Sequence, residues 1–441
     1  MGLTVCDEVA SGYYGLSFFG EFMSHFSIRC KKCGKVLENS YCAFCEHCKD
    51  ALLVTEYHDR RFAESGAKGV WRFNWLPVHE PASVQPGPLV YRSQGLAKHL
   101  GLEQLYIAFN GYWPEKGALL ETCTFKEFEA AVVLQNAREN GVGGLIVASA
   151  GNTARAFAHL SAVTGFPVVI VVPRMCLSEM WYLESSQLVP TLAVGDGDYS
   201  DSIDVAKRIA MITGFPFEGG VKNIAKRDGL GIVMLEAVSK IGKLPDHYVQ
   251  AVGSGTGAIG GWEMAERFVR DGRFGGRLPK LHLGQNLPFA PMMHAWAKGS
   301  RSLFPADLNP ELIGYITTRV LSTRYPAYSV QGGVFDALTS AGGGMYGVEN
   351  EAVYAGMDAF LETEGIDLVP ASGVSVAVLK EAVRKGAIAK NDTVLLNITG
   401  GGEARLRKDK QTHAVMPQFI SKNATEKDIE ELLCQDKKKS S

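Results

Sequence analysis

The sequence predicts an α/β protein built on open, mostly parallel sheets with helices on both faces. One observation is a regular alternation, after about residue 120, of strand-length apolar runs with segments of helical period. Another is that glycine-rich turns join some of those runs directly to the next helix, as in "HYVQAVGSGTGAIGG". Length is the third: 441 residues exceed one small core and suit two lobes plus a small module.

In chain order, residues 1–29 form an extension without assignable pattern, and residues 30–56 hold five closely spaced cysteines. Residues 71–119 read as turn-rich. "GLIVASA", "PVVIVVP" and "TLAVGDG" then read as successive strands, and "SIDVAKRIAMITG" as a helix ending at Gly214. "HYVQAVG", "KLHLGQ" and "DTVLLNITG" are further strands, with "SVAVLKEAVRKG" as a helix among them. The expected division is a large domain over 57–143 and 217–420, a small mobile domain over 144–216, and a charged C-terminal tail over 421–441, read as a solvated helix with a frayed end.

Composition excludes some functions. A net charge of −2 gives no overall attraction to nucleic acid. The longest apolar runs, such as "FPVVIVVP", are far short of a membrane span. "YYGLSFFGEFM" lacks a basic leader and a small-residue cleavage site, so a secretory signal is not expected. A cytoplasmic setting follows, in which the nine cysteines are thiols or metal ligands rather than disulfides.

Four segments could carry chemistry. In "ETCTFKEFEA", Lys126 stands between Phe125 and Phe128, where a desolvated amine could be reactive; on that segment alone it also reads as a helix-start lysine with an exposed head. "ASAGNTARAFA" ends a strand and opens a helix, so the backbone N–H groups of Ala150 to Thr153 could receive a carboxylate or phosphate; a plain helix cap is the other reading. "VGSGTGAIGG" alternates Gly253, Gly255 and Gly257 with Ser254 and Thr256, a backbone able to wrap a phosphate. It also fits a dinucleotide pattern at Gly253, Gly255 and Ala258, but that pattern wants an acid at the end of the next strand, and Asp271 lies before that strand. In "NITGGGEARL", Thr399 closes a strand where α/β sheets bind ligands, though a loose turn reads the same way. Together a lone lysine, an anion-binding helix start, a phosphate cradle and a strand-end hydroxyl are what a pyridoxal phosphate enzyme needs.

The ordered set "TCTFKEFEA", "SAGNTA", "GSGTG" and "NITGGG", within roughly Cys30 to Arg407, resembles the threonine synthase branch of fold-type II (tryptophan synthase beta-like) pyridoxal phosphate enzymes. The resemblance implies that Lys126 is the lysine joined to the cofactor and that Asn152 lies beside the ring's 3′ oxygen. It also implies that Gly253, Ser254, Gly255, Thr256 and Gly257 hold the cofactor phosphate and that Thr399 faces the pyridine nitrogen. Ser149, Gly151 and Thr153 would receive the substrate carboxylate. Arg155 is the candidate for the substrate phosphate or for sulfite, with a solvent-facing arginine as the alternative. Threonine synthases usually read S-F-K-D-R at the lysine, whereas Glu127 and Phe128 follow it here. "TCTFKEFEA" is most similar to the cysteate synthase family, which converts O-phosphoserine and sulfite to L-cysteate and phosphate and serves coenzyme M biosynthesis in methanogens. Threonine formation from O-phosphohomoserine is the nearest alternative, and a homo-oligomer acting on small molecules is expected.

Cys30 and Cys33, and Cys45 and Cys48, form two C-x2-C pairs with eleven residues between them, a spacing suited to one structural zinc. Cys42 could pair with Cys45 instead, and a ribbon without metal is the other reading. Two functions of other classes fit parts of the sequence less well. A nicotinamide-dependent oxidoreductase lacks its strand-end acid. A zinc-ribbon nucleic-acid binder would have little basic charge.

Overall fold

The structure, a computed structural model, describes residues 24–37, 42–184 and 189–435. Most of the predicted N-terminal extension and the last residues of the predicted tail lie outside these. Two sheets organise the chain. The larger has six strands in the order Gly343–Val348, Lys280–Asn286, His247–Ala251, Thr393–Ile398, Gln104–Phe109 and Leu89–Arg92. All neighbours are parallel except the edge strand Leu89–Arg92, which runs antiparallel to Gln104–Phe109. The smaller sheet is fully parallel, in the order Gln418–Ile420, Thr191–Val194, Val168–Pro173 and Leu145–Ala148.

The strand Val168–Pro173 forms where β-branched residues run without polar interruption. Val168–Pro173 and Thr393–Ile398 are buried along their whole length, as strands covered on both faces must be. The helix Tyr199–Thr213 starts on a capping box, the Asp198 carboxylate accepting from the Ser200 and Asp201 N–H groups. It ends at Gly214, whose left-handed φ of 74° a side chain would resist.

Two expectations change. Residues 71–119 are not mainly turns, since they supply two strands of the large sheet, one of them interior. The expected C-terminal helix forms and is largely exposed, but it is not wholly solvated. Gln418–Ile420 extends the smaller sheet, and Ile420, Ala424 and Ile429 join that lobe's apolar cluster with Val171, Val194 and Ile209. The charged face of the final helix, Glu426–Gln435, hid the buried Ile429. Among the described residues no helix is long and apolar enough to cross a membrane.

Three helices place the centre of the molecule. The Lys126 helix (Lys126–Glu139) packs on Ile224–Ile241, which packs on Thr256–Asp271. The approach is close because Gly229 has no side chain: a Cβ there would lie 3.0 Å from the Phe128 carbonyl oxygen. The lobes also meet through a forked ion pair. Arg324 Nε and Nη2 donate to the two oxygens of Asp198 at 2.7 and 3.1 Å.

Candidate active site

The Lys126 helix begins on a constrained turn. Cys123, just before it, is the one described non-glycine residue with positive φ, 55°, a conformation that concentrates at functional sites. Glu127 reaches back to accept from the Thr122 N–H and hydroxyl, both at 2.9 Å. Its carboxyl is pushed up by burial. Phe125 is the junction: its N–H donates to the Thr399 carbonyl at 3.0 Å, where the Thr393–Ile398 strand ends. The Thr124 hydroxyl donates to the same oxygen at 3.1 Å. The Phe125 ring also closes on the glycine loop, because a Cβ on Gly257 would meet it at 3.0 Å. Lys126, Thr399 and the glycine loop therefore share one corner at the carboxyl ends of the large sheet.

Lys126 is not a snorkelling surface lysine. Its side chain is 18% exposed, and Nζ lies 2.8 Å from Glu129 Oε2. Burial lowers its proton affinity below that of an ordinary lysine, against the opposing pull of Glu129. The glycine loop caps the Thr256–Asp271 helix through Gly255, whose φ of 85° favours glycine. Ser254 and Thr256 place their hydroxyls 2.8 Å apart beside it. Asp271 sits at the far end of that helix, held by Arg273 and the Phe62 N–H, so it is not placed to bind a ribose.

The asparagine loop faces the same corner. Ser149 accepts from the Gly151 and Ala154 N–H groups at 3.0 Å, and so caps the helix Asn152–Thr164 itself. Asn152 Oδ1 instead accepts from Arg155 Nη2 at 2.9 Å. Arg155 is buried, pairs with Glu403 at 2.7 Å and lies over the Trp181 ring. The solvent-facing alternative for it therefore fails, and its charge is already answered. Thr153 stands on the first turn of this helix.

Sequence reasoning passed over Arg319. Its neighbour Val320 reaches within 3.4 Å of where a Gly151 side chain would begin, and Leu321 lies 2.9 Å from the equivalent point on Gly253. The segment that Arg319 opens thus packs against both the asparagine loop and the glycine loop. Its guanidinium makes no hydrogen bond or ion pair with a described residue, although its charge draws down the Glu179 carboxyl that burial pushes up. The only signal was two arginines in the turn-rich "TTRVLSTRYP".

A family model described as pyridoxal-phosphate dependent enzyme matches residues 84–400, which contain all of these loops. The chain is 45% identical over 408 residues to a cysteate synthase of Methanosarcina barkeri, covering 91% of this chain and 98% of that one. It is 47% identical over 397 residues to a cysteate synthase of Methanosphaerula palustris, covering 89% and 92%. The chain belongs to the cysteate synthase family of pyridoxal-phosphate-dependent enzymes. Solved structures of maize serine racemase (16% identity, 73% of this chain and 91% of that one, TM-score 0.53) and of threonine deaminase isoform 2 from Solanum lycopersicum (17%, 73% and 86%, 0.53) share its fold. Fold-type II architecture is thereby borne out, as is a pyridoxal phosphate cofactor.

The residues present fit that cofactor. A buried lysine of weakened proton affinity, a helix start flanked by two hydroxyls and a neutral strand-end hydroxyl are the donor set it requires. In this cysteate synthase family member the ribbon cysteines also converge. Sγ atoms of Cys30, Cys33, Cys45 and Cys48 all lie within 4.8 Å of one another, and Cys33 and Cys45 are 3.8 Å apart. Tetrahedral thiolates at a zinc–sulfur distance of about 2.3 Å would be separated by about 3.8 Å. The cluster is compatible with a structural zinc, and Cys42 is outside it.

Proposed function

We propose that this enzyme replaces the phosphate of O-phospho-L-serine with sulfite, yielding L-cysteate and phosphate. The supporting observation is its 45% identity, over nearly the whole chain, to proteins named for cysteate formation. In this reading Lys126 carries the cofactor, Gly253, Ser254, Gly255, Thr256 and Gly257 hold its phosphate, and Asn152 and Thr399 contact its ring. When bound, pyridoxal phosphate supplies an electron sink for the pair left at Cα.

The chain's own residues do the rest. The N–H groups and hydroxyls of Ser149, Gly151 and Thr153 receive the substrate carboxylate at a helix start. Lys126 Nζ takes the Cα proton, which a lysine can do near neutral pH only when burial weakens its hold on protons. The Cβ–O bond breaks as phosphate leaves with its electron pair, sulfite forms the Cβ–S bond, and Lys126 Nζ returns the proton to Cα. Arg155 can take a substrate anion only by exchanging Glu403 for it. We therefore give Arg155 the task of orienting Asn152 and give Arg319 the phosphate and then sulfite. Thr399, neutral, leaves the ring nitrogen largely unprotonated, which favours replacement over transamination. The buried thiols Cys123 and Cys176, which form no disulfide, suit a cytoplasmic setting.

The test is phosphate release from phosphoserine with and without sulfite, with cysteate quantified, beside O-phosphohomoserine in water. Cysteate formed in step with phosphate supports the proposal. Turnover of phosphohomoserine alone would replace it with threonine synthesis.

A further inference from the structure

A buried ammonium is costly unless carboxylates answer it, and two lie side by side here. The Glu129 carboxylate is fully buried and is met on both oxygens: Lys126 Nζ stands 2.8 Å from Oε2 and Lys226 Nζ 2.6 Å from Oε1. Lys226 also lies 3.1 Å from Glu218 Oε2. The members come from separate parts of the fold. Lys126 and Glu129 share one helix, and Lys226 projects from Ile224–Ile241 across the contact that Gly229 allows. Glu218 belongs to the smaller lobe's edge, its N–H donating to the Ile146 carbonyl at 2.9 Å. Tyr199, on the first turn of that lobe's helix, completes the surroundings, its phenol pushed up to about 12 by burial.

With all four side chains ionised, two ammonium and two carboxylate charges cancel. When Lys126 stands as a free amine, one positive charge is lost and Glu129 keeps a single cation. Without Lys226, Glu129 would be an uncompensated anion 2.8 Å from the reactive nitrogen, and would hold a proton there.

We propose that Lys226 is a positioning residue for Lys126, acting through the shared Glu129 carboxylate: it fixes one oxygen so that the other aligns Lys126 Nζ, and its charge offsets the pull of Glu129 on a proton at that nitrogen. This rests on Lys126 being the cofactor-bearing lysine. The electrostatics agree with the geometry. Burial lowers the proton affinity of Lys126 most and Lys226 adds to it, while Glu129 and Glu218 oppose. Lys226 itself is held protonated, because Glu129 and Glu218 outweigh the effect of burial. Glu218 divides the attention of Lys226, so the smaller lobe acts on the same balance.

The experiment uses the full chain, freed of cofactor, and follows attachment of pyridoxal phosphate by absorbance across pH; borohydride reduction and peptide mass identify the lysine. Lys226→Met should raise the pH midpoint of attachment by about one unit, a tenfold slower reaction below the midpoint. Lys226→Arg should restore the wild-type midpoint. Glu129→Gln and Glu218→Gln should move it down. A purely structural role would lower Tm and yield while leaving the midpoint in place, and that result would overturn the proposal, as would Lys226→Met and Glu129→Gln shifting it in the same direction. Should Lys226→Met not fold, an unmoved midpoint in Glu218→Gln overturns it equally. An adduct absent from Lys126 in the wild type would remove the reading beneath the proposal, whereas an adduct with unmoved midpoints removes only the role of Lys226.

Discussion

The Phe125 N–H donates to the Thr399 carbonyl at 3.0 Å, binding the residue before Lys126 to the end of an interior strand of the large sheet. One hydrogen bond thus sets the lysine helix and Thr399 in a common frame. Thr399→Asp preserves that backbone contact while placing a carboxylate where a neutral group stood. We expect cofactor attachment to survive and cysteate formation to fall by about tenfold or more, the effect of little more than 1.4 kcal/mol on the barrier. Absorbance and product assays on the same sample check it.

Arg319 and Arg155 should separate cleanly. Arg319→Ala removes a guanidinium that forms no ion pair with a described carboxylate, though it acts on Glu179 at longer range, so KM for phosphoserine should rise about tenfold or more with the cofactor spectrum unchanged, as for a lost charged hydrogen bond. Arg155→Ala unpairs the partly exposed Glu403 and frees Asn152, and should instead disturb the spectrum and cost about 1–3 kcal/mol of stability. Steady-state kinetics and denaturation distinguish the two.

Much of this site was legible in sequence because its chemistry demands unusual local composition. Gly255 must adopt positive φ, and Lys126 sits between aromatic residues where a lysine is out of place. The missed parts lacked such marks. Gln104–Phe109 is a short apolar run placed inside the sheet by a neighbour from a distant segment, Thr393–Ile398, and Gly343–Val348 carries three glycines that weaken any strand signal. Lys226 and Glu218 read as ordinary surface charges, since their burial depends on three helices and a lobe edge meeting in space.

The ribbon offers an independent test. Metal analysis should find about one zinc per chain, the stoichiometry of a closed four-thiolate site. Cys45→Ser should abolish it and destabilise the module, while Cys42→Ser should leave the metal content intact, because Cys42 is outside the convergent set.

At the far end of the large sheet, His282 accepts or donates hydrogen bonds with His247 at 2.9 Å and Tyr346 at 2.8 Å. Burial, with the nearby His247 and Lys280 charges, brings its pKa down to about 4. As pH falls, the unfolded chain binds a proton near 6.5 before the folded one does. The stability this ring contributes is therefore full above that value and is lost progressively toward pH 4, up to about 3 kcal/mol. Denaturation at pH 7 and pH 4.5 should show the loss, and His282→Gln should flatten the slope; an equal slope in the variant would assign the acid sensitivity to other groups.

The most direct measurement is on Lys126 itself. Holoprotein reduced with borohydride and digested should yield a single pyridoxyl-modified peptide, modified at Lys126, and Lys126→Ala should lose both the modification and the cofactor's visible absorbance. Modification of another lysine, or full retention of the absorbance in Lys126→Ala, would contradict the assignment on which every other role depends.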